Sequence, residues 1–255
     1  MSAWGVRRQL TVFFFSVIIM AALGVVAFLY LLPEPSCFDG RQNQNELGVD
    51  CGGLCEAVCL NEAREVKIIW ARIVPRSNGA YDAVALVENP NPDLTLVDMP
   101  YSFSFLDDDN VFISQVKGSL SLAPLSRFAI FSDSLNVGQR VPERAILEFT
   151  GVPIWERSSD KPLIEIEPPR FVGTPSPLLL ALVNNTSLST TYRNLDVVAV
   201  LSDTDQNVVA VSSTFVEQLA PGESHEVSFS WPRPFAKTPV FTDLYYYAPL
   251  VDTLD

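Results

Sequence analysis

Ala85–Asn91 reads "ALVENPN" and Ala181–Ser187 reads "ALVNNTS", one motif met twice at an offset of 96 residues. Two further pairs follow in the same order. "DDDNV" ending at Val111 matches "TDQNV" ending at Val208, and "LAP" at Leu122 recurs at Leu219, both at an offset of 97. Three ordered matches at a nearly constant spacing mark an internal duplication. One residue is inserted in the second copy, and the motif alignment places it between the first and second matches.

Within the copies the hydrophobic period is two. "YSFSF" sets Tyr101, Phe103 and Phe105 against Ser102 and Ser104, and "HEVSFSW" sets Val227, Phe229 and Trp231 against Glu226, Ser228 and Ser230. Alternation of this kind marks half-buried strands. Turn formers separate the runs at "ENPNP" (88), "DDDN" (107), "LAPL" (122), "DTDQN" (203) and "LAPGE" (219). Pro221–Gly222 suits a type II turn, whereas Leu125 at the matching place favours type I and a negative φ. No amphipathic helix follows Cys59. Each copy is about 95 residues, the size of an immunoglobulin-like sandwich. The expected fold is therefore all-β, two tandem immunoglobulin-like β-sandwiches over 63–155 and 163–255, joined by the polar linker 156–162 ("ERSSDKP"). Neither copy contains cysteine, so apolar burial must hold each core, with Trp70, Trp155 and Trp231 as large contributors.

Ahead of the copies, residues 10–32 ("LTVFFFSVIIMAALGVVAFLYLL") carry no charge. A helix of that length rises roughly 35 Å, enough for a hydrocarbon core of about 30 Å. It is too long for a signal-peptide core and ends in "LLPEPSC" without a small-residue cleavage site, so an uncleaved N-terminal transmembrane α-helix is expected. Arg7 and Arg8 lie in the segment 1–9, and no acidic residue occurs before Glu34. The positive-inside rule keeps 1–9 cytoplasmic. The remaining 15 of 17 basic residues and all 30 acidic ones follow the apolar run, a formal −15. The expected localisation is the plasma (cytoplasmic) membrane, single-pass, with the C-terminal domains extracytoplasmic. An acidic outer portion excludes nucleic acid as a partner.

All four cysteines, Cys37, Cys51, Cys55 and Cys59, fall in the segment 37–59, "CFDGRQNQNELGVDCGGLCEAVC". Outside the cytoplasm thiols pair, which favours two disulfides over structural zinc, C-x-x-C redox chemistry or lipidation at Cys37. The segment is dense in turn formers and too short for a core of its own, so it needs covalent staples. Asp39, Asn43, Asn45, Glu46 and Asp50 offer hard oxygens of the sort calcium takes, without EF-hand spacing. Solvated turn residues are the competing reading.

The residues Cys37, Asp39, Gly40, Asn43, Glu46, Gly48, Val49, Asp50, Cys51, Gly52, Gly53 and Cys55 resemble a short cysteine-rich module of surface proteins, C-x-D-G-x-x-N-x-x-E-x-G-V-D-C-G-G-x-C. Three residues rather than two separate the last cysteines, which leaves the pairing open. The first copy, "VENPNPDLTLVDMPYSFSFLDDDNVF", resembles domains of the water-stress and late-embryogenesis type. The second, "LVNNTS…LDVVAVLSDTDQNVVAVSSTFVEQLAPGESHEVSF", is similar to FxLYD and CARDB-like domains of envelope proteins. These resemblances imply binding or spacing rather than catalysis.

No nucleophile–base pair, multi-histidine cage, Walker motif or dinucleotide fingerprint occurs, so no enzyme activity and no cofactor is expected. The single histidine, His225, lies in a strand pattern at the place of Phe128. Asp107, Asp108, Asp109, Asp203 and Asp205 occupy equivalent turns. Tyr245, Tyr246 and Tyr247 fall in the last strand, where alternation buries one face and offers the other as a contact surface. "NNTS" holds overlapping glycosylation sequons at Asn184 and Asn185. Two functions fit: a membrane-anchored protein that binds or positions an extracytoplasmic protein or polymer, or a passive spacer or subunit of an envelope assembly.

Overall fold

The alternating runs become antiparallel strands, and the uncharged run becomes a helix. The computed structural model describes residues 3–31, 36–43, 45–55, 57–76, 79–158, 161–173 and 176–248, with helix side chains over 11–26. Glu34, residues 159–160 of the expected linker, residues 249–255 and the side chains of Arg7 and Arg8 lie outside the described residues. The chain divides into two compact units, Met1–Cys55 and Glu56–Asp255.

In the first unit, helix α1 spans Ala3–Leu31. Over 11–26 its side chains carry no charge, and Phe13, Phe14, Phe15 and Met20 are exposed. Among the described residues no helix is long and apolar enough to cross a membrane. The stretch 11–26 by itself measures roughly 24 Å. Leu10 and residues 27–32 of the expected span lie outside the described side chains.

The second unit is all-β. Strands β1 (Lys67–Pro75), β2 (Tyr81–Glu88) and β5 (Arg127–Ser132) form one sheet in the order β1-β2-β5. Strands β3 (Leu94–Leu106), β4 (Phe112–Leu122) and β6 (Arg144–Phe149) form the facing sheet in the order β4-β3-β6, with β7 (Ile154–Arg157) on β3. Between them lies a core that includes Leu96, Phe103, Phe105, Leu122 and Trp155, all at most 4 % exposed. Val58 also packs into this core. Glu156 and Arg157, expected in the linker, instead end β7 and pair with Thr95 and Leu94.

The second copy repeats the scheme. Strands β8 (Ile164–Ile166) and β9 (Arg170–Val172) stand where β1 stands, and both pair with β10 (Leu178–Asn185). With β13 (Ser224–Ser230) they make the order β13-β10-β8. Strands β11 (Tyr192–Ser202), β12 (Val208–Leu219) and β14 (Phe241–Tyr247) make the order β12-β11-β14, matching β4-β3-β6. The duplication read from three short motifs is thus a duplication of strand order.

Register relocates the inserted residue. Met99 pairs Leu120 as Leu195 pairs Val216, still at an offset of 96 on both strands; Leu96 pairs Leu122 as Tyr192 pairs Leu219, where the second offset has become 97. The extra residue therefore lies between Val216 and Leu219, at the place where β3 of the first copy bulges between Leu96 and Met99 and β11 does not, and not between the first two motifs. The acidic turns match as Asp107–Val111 and Asp203–Asn207, one residue from the motif alignment, because Asp107 donates its N–H to Val111 O and Asp203 to Asn207 O.

The two copies are also packed on each other. Val74, Val84, Ala129, Val198, Val200 and Val211 form a third buried apolar cluster, flanked by Trp70, Phe128, Phe131, Val208 and Tyr245. It lies between the sheet β1-β2-β5 and the sheet β12-β11-β14, with β1 against β12 and β5 against β14. The central strands are accordingly buried on both faces. In β2, Ala83, Ala85 and Val87 enter the first core while Val84 enters the shared layer; in β11, Val197, Ala199 and Leu201 enter the second core while Val198 and Val200 enter the layer. The half-buried pattern read in "YSFSF" and "HEVSFSW" does not extend to these two strands, because a strand with sheets on both sides has no wet face.

Candidate functional site

The repeated motifs meet in space. Asn89, fully buried, donates from Nδ2 to Leu94 O, Leu122 O and Ala123 O at 2.7, 3.1 and 3.0 Å, and its Oδ1 accepts from the Asn91 backbone and side-chain amides. Asn185 does the same in the second copy, donating to Thr190 O, Leu219 O and Ala220 O and accepting from Ser187 N. One amide therefore ties the end of a strand to the "LAP" turn 33 to 35 residues away. Only an asparagine-like group, two donors and one acceptor on a short stem, fits that set of partners. This also settles the sequon at Asn185, whose amide nitrogen is fully engaged; the Asn184 side chain points to Glu167 instead.

The "LAP" turns carry a correction. Gly222 has φ +71°, as a type II turn requires, but Leu125 has φ +49° as well. The two turns are alike at this residue, and Leu125 occupies the left-handed region with a Cβ that region disfavours. The Asn89 amide and the Leu125 N–H, donated to Asn91 O at 2.9 Å, hold the turn in place.

That turn forms one wall of a 230 Å³ cleft where the layer between the sandwiches opens to solvent. Pro124, Leu125, Arg127, Phe128, Lys161 and Tyr247 line it. The Phe128 and Tyr247 rings meet at 5.6 Å across the two copies. Arg127 is paired with Glu88, whose carboxyl is held below the usual range by that guanidinium, with Lys67 adding to the effect. Lys161 makes no ion pair among the described residues. The cleft thus joins aromatic walls to two cations on the strongly acidic part of the chain that follows residue 32.

The three tyrosines of the last strand take three different places. Tyr246 packs on the second core and donates its hydroxyl to Pro162 O at 3.3 Å, while Tyr245 joins the shared layer and Tyr247 the cleft. Burial pushes the Tyr245 and Tyr246 hydroxyls above their ordinary pKa. The face that the sequence offers to a partner is largely covered by the first sandwich. His225 is exposed on β13, in register with Val183 as Phe128 is with Val87. The acidic turns are self-contained: Asp107 accepts from Val111 N and pairs with Arg140, and Asp203 accepts from Asp205 N and Asn207 N and pairs with Lys237.

In the cysteine module Cys37 is bonded to Cys55, and Cys51 and Cys59, both oxidised, are the second pair. The expectation of two disulfides holds. The five candidate calcium ligands do not make a cage. Asp39 accepts from Ser36 N, Arg41 N and Asn43 Nδ2; Asp50 accepts from Asp39 N and Gly40 N; Glu46, 5 % exposed, accepts from Asn43 N and Asp50 N. Asn45 serves through its backbone, with φ +67° and its carbonyl against Gly53, where a Cβ would come within 2.0 Å of it. Asn43 Oδ1 is the one buried side-chain oxygen of the five without a partner, far short of the six to eight that calcium takes. The acid and thiol atoms that do converge, Cys37, Glu46 and Cys55, lie within 4.8 Å, but the sulfurs are spent in a disulfide. Cys55 Sγ carries no hydrogen, so its 3.3 Å approach to Glu46 Oε1 is a contact, not a hydrogen bond.

No protein-family model matches the chain, and no curated protein matches it. The asparagine locks and the shared layer went unread in the sequence. The first had a signal, since an asparagine, Asn89 or Asn185, stands 33 or 34 residues before each "LAP"; the second had one in the unbroken runs "AVALV" and "VVAVL".

Proposed function

We propose that the chain is a single-pass, membrane-anchored extracytoplasmic protein whose two immunoglobulin-like sandwiches bind or position another extracytoplasmic protein or polymer. The observation that carries this reading is the apolar layer between the copies. Each valine buried there contributes about 1.5–3 kcal/mol, and an interface of this kind holds domains in one orientation where a polar one would let them swing. A spacer gains reach by stacking domains end to end. Packing them face to face gives up that reach and creates a fixed cleft to which both copies contribute. The facing sheets and crossovers of each copy support the immunoglobulin-like reading, and α1 with the uncharged run 10–32 supports the anchor.

The test places a photo-crosslinking side chain at Leu125, on the cleft, and at Leu188, exposed on the second sandwich, in full-length protein on intact cells. A partner should be captured from Leu125 and not Leu188, and capture should fall at least tenfold with Lys161→Glu. Equal capture from both sites, or indifference to Lys161→Glu, would favour the passive spacer or assembly subunit. Protease added outside should remove the sandwiches; protection until lysis would reverse the orientation.

A further inference from the structure

The cysteine module is built inside out. Its three carboxylates turn inward onto backbone N–H groups, while Phe38, Leu54, Leu47 and Val49 are 92, 77, 57 and 56 % exposed. Glu46 and the Cys37–Cys55 disulfide form its buried hub, and the residue after or before each of these three, Leu47, Phe38 and Leu54, is exposed. With Cys37 and Cys55 Cα atoms 5.6 Å apart, Phe38 and Leu54 stand within about 13 Å of each other. Four large exposed apolar side chains on so small a segment need a cover.

Chain length and charge say which. Helix α1 ends at Leu31, and Phe38 follows seven residues later, within about 25 Å even fully extended. Among the described residues 36–55 the charged side chains are Asp39, Arg41, Glu46 and Asp50, and of these Arg41 alone is exposed. The module therefore presents four large apolar side chains and one fully exposed cation, with Asp39 and Asp50 half-buried and engaged by backbone N–H groups, on a chain whose outer portion is strongly acidic. Lipid headgroups match this: phosphates for the guanidinium, and an acyl boundary that accepts aromatic and aliphatic side chains to a depth of about 5–10 Å.

We propose that the disulfide module is a second membrane contact, seating Phe38 and Leu54, with Leu47 and Val49 beside them, in the headgroup layer of the bilayer with Arg41 on lipid phosphate. The proposal rests on the anchored reading above. It gives the two disulfides a task, because an oxidised module presents these side chains together where a reduced loop would scatter them.

The test uses the full chain reconstituted in vesicles of phosphatidylcholine with phosphatidylglycerol, carrying a benzophenone side chain at Phe38, Leu54 or Leu188. Flotation and resistance to alkaline extraction report the anchor separately, and a mass four hydrogens below the reduced chain reports a correctly oxidised module. Lipid adducts should form from positions 38 and 54 and not 188, and Arg41→Glu should lower their yield several-fold. Anchored, oxidised protein that yields no lipid adduct from 38 and 54, or adducts to its own sandwiches or to another copy, overturns the proposal and leaves the anchor standing. Protein that fails to float overturns both.

Discussion

Replacing Asn89 by Asp changes one atom group and should unfold the first sandwich's edge. The Asn89 amide supplies two hydrogens to three buried carbonyls, and its oxygen accepts two N–H groups from Asn91. An aspartate keeps the shape and the acceptor but sets a negative oxygen against Leu94 O, Leu122 O and Ala123 O. Each buried polar group left without a partner costs about 1–3 kcal/mol. Asn89→Ala, which orphans these groups without adding charge, should therefore cost about 3–5 kcal/mol, and Asn89→Asp should cost more at neutral pH. Against a total stability of about 5–15 kcal/mol that is a large fraction. Urea unfolding of the oxidised protein, followed by tryptophan fluorescence, reads the loss as a lower midpoint at unchanged m. Asn185→Ala should behave alike, since its partners are equivalent. If Asn89→Asp lies within 1 kcal/mol of the parent, the amide is not the tie between strand and turn, and the structural meaning given to the repeated motif is wrong.

Leu125→Gly should stabilise by up to about 1 kcal/mol, because a leucine at φ +49° is strained, while Gly222→Val should destabilise by more than that; thermal melts that rank the two the other way would refute the turn assignment. Arg76→Ala should cost about 3 kcal/mol, since it strips the 2.8 Å partner from Asp82, which is 2 % exposed, and the loss should shrink in an Asp82→Asn background; equal losses in both backgrounds would show no coupling. Acid should weaken the fold. The carboxyls of Asp39, Glu88 and Asp203 lie below their ordinary values of 3.8, 4.5 and 3.8, mainly through bonds from Asn43, Arg127 and the Asn207 backbone, so the stability they lend is present above those values and lost as pH falls below about 4. Asp82 runs the other way: desolvation raises its pKa, favouring the fold when it is protonated and fading as pH rises through the folded value. A urea midpoint flat from pH 6 to pH 3 would contradict this balance.

Much of the architecture was legible because it is written locally. A period of two says strand, a recurring motif says duplication, and cysteines crowded into one acidic, turn-rich segment beyond an uncharged run say disulfides. Those signals depend on residues a few positions apart, and all of them are present in the linear chain. What escaped depends on partners far along it. Alternation tells that a strand has a dry face but not how many, so Val84, Val198 and Val200 showed their second burial only when two sheets were seen against each other. Asn89 looked like turn chemistry because its three acceptors are scattered between residues 94 and 123. Leu125 at positive φ defied its own preference, since a turn clamped by tertiary hydrogen bonds can hold a side chain where an isolated peptide would not. The acidic residues of the module looked like a cation site until their oxygens were found facing backbone N–H groups. Strands, their duplication and the closeness of the cysteines could be read along the chain, because near neighbours decide them; which apolar faces meet and which polar atoms are already spent could not, because folding alone brings those partners together.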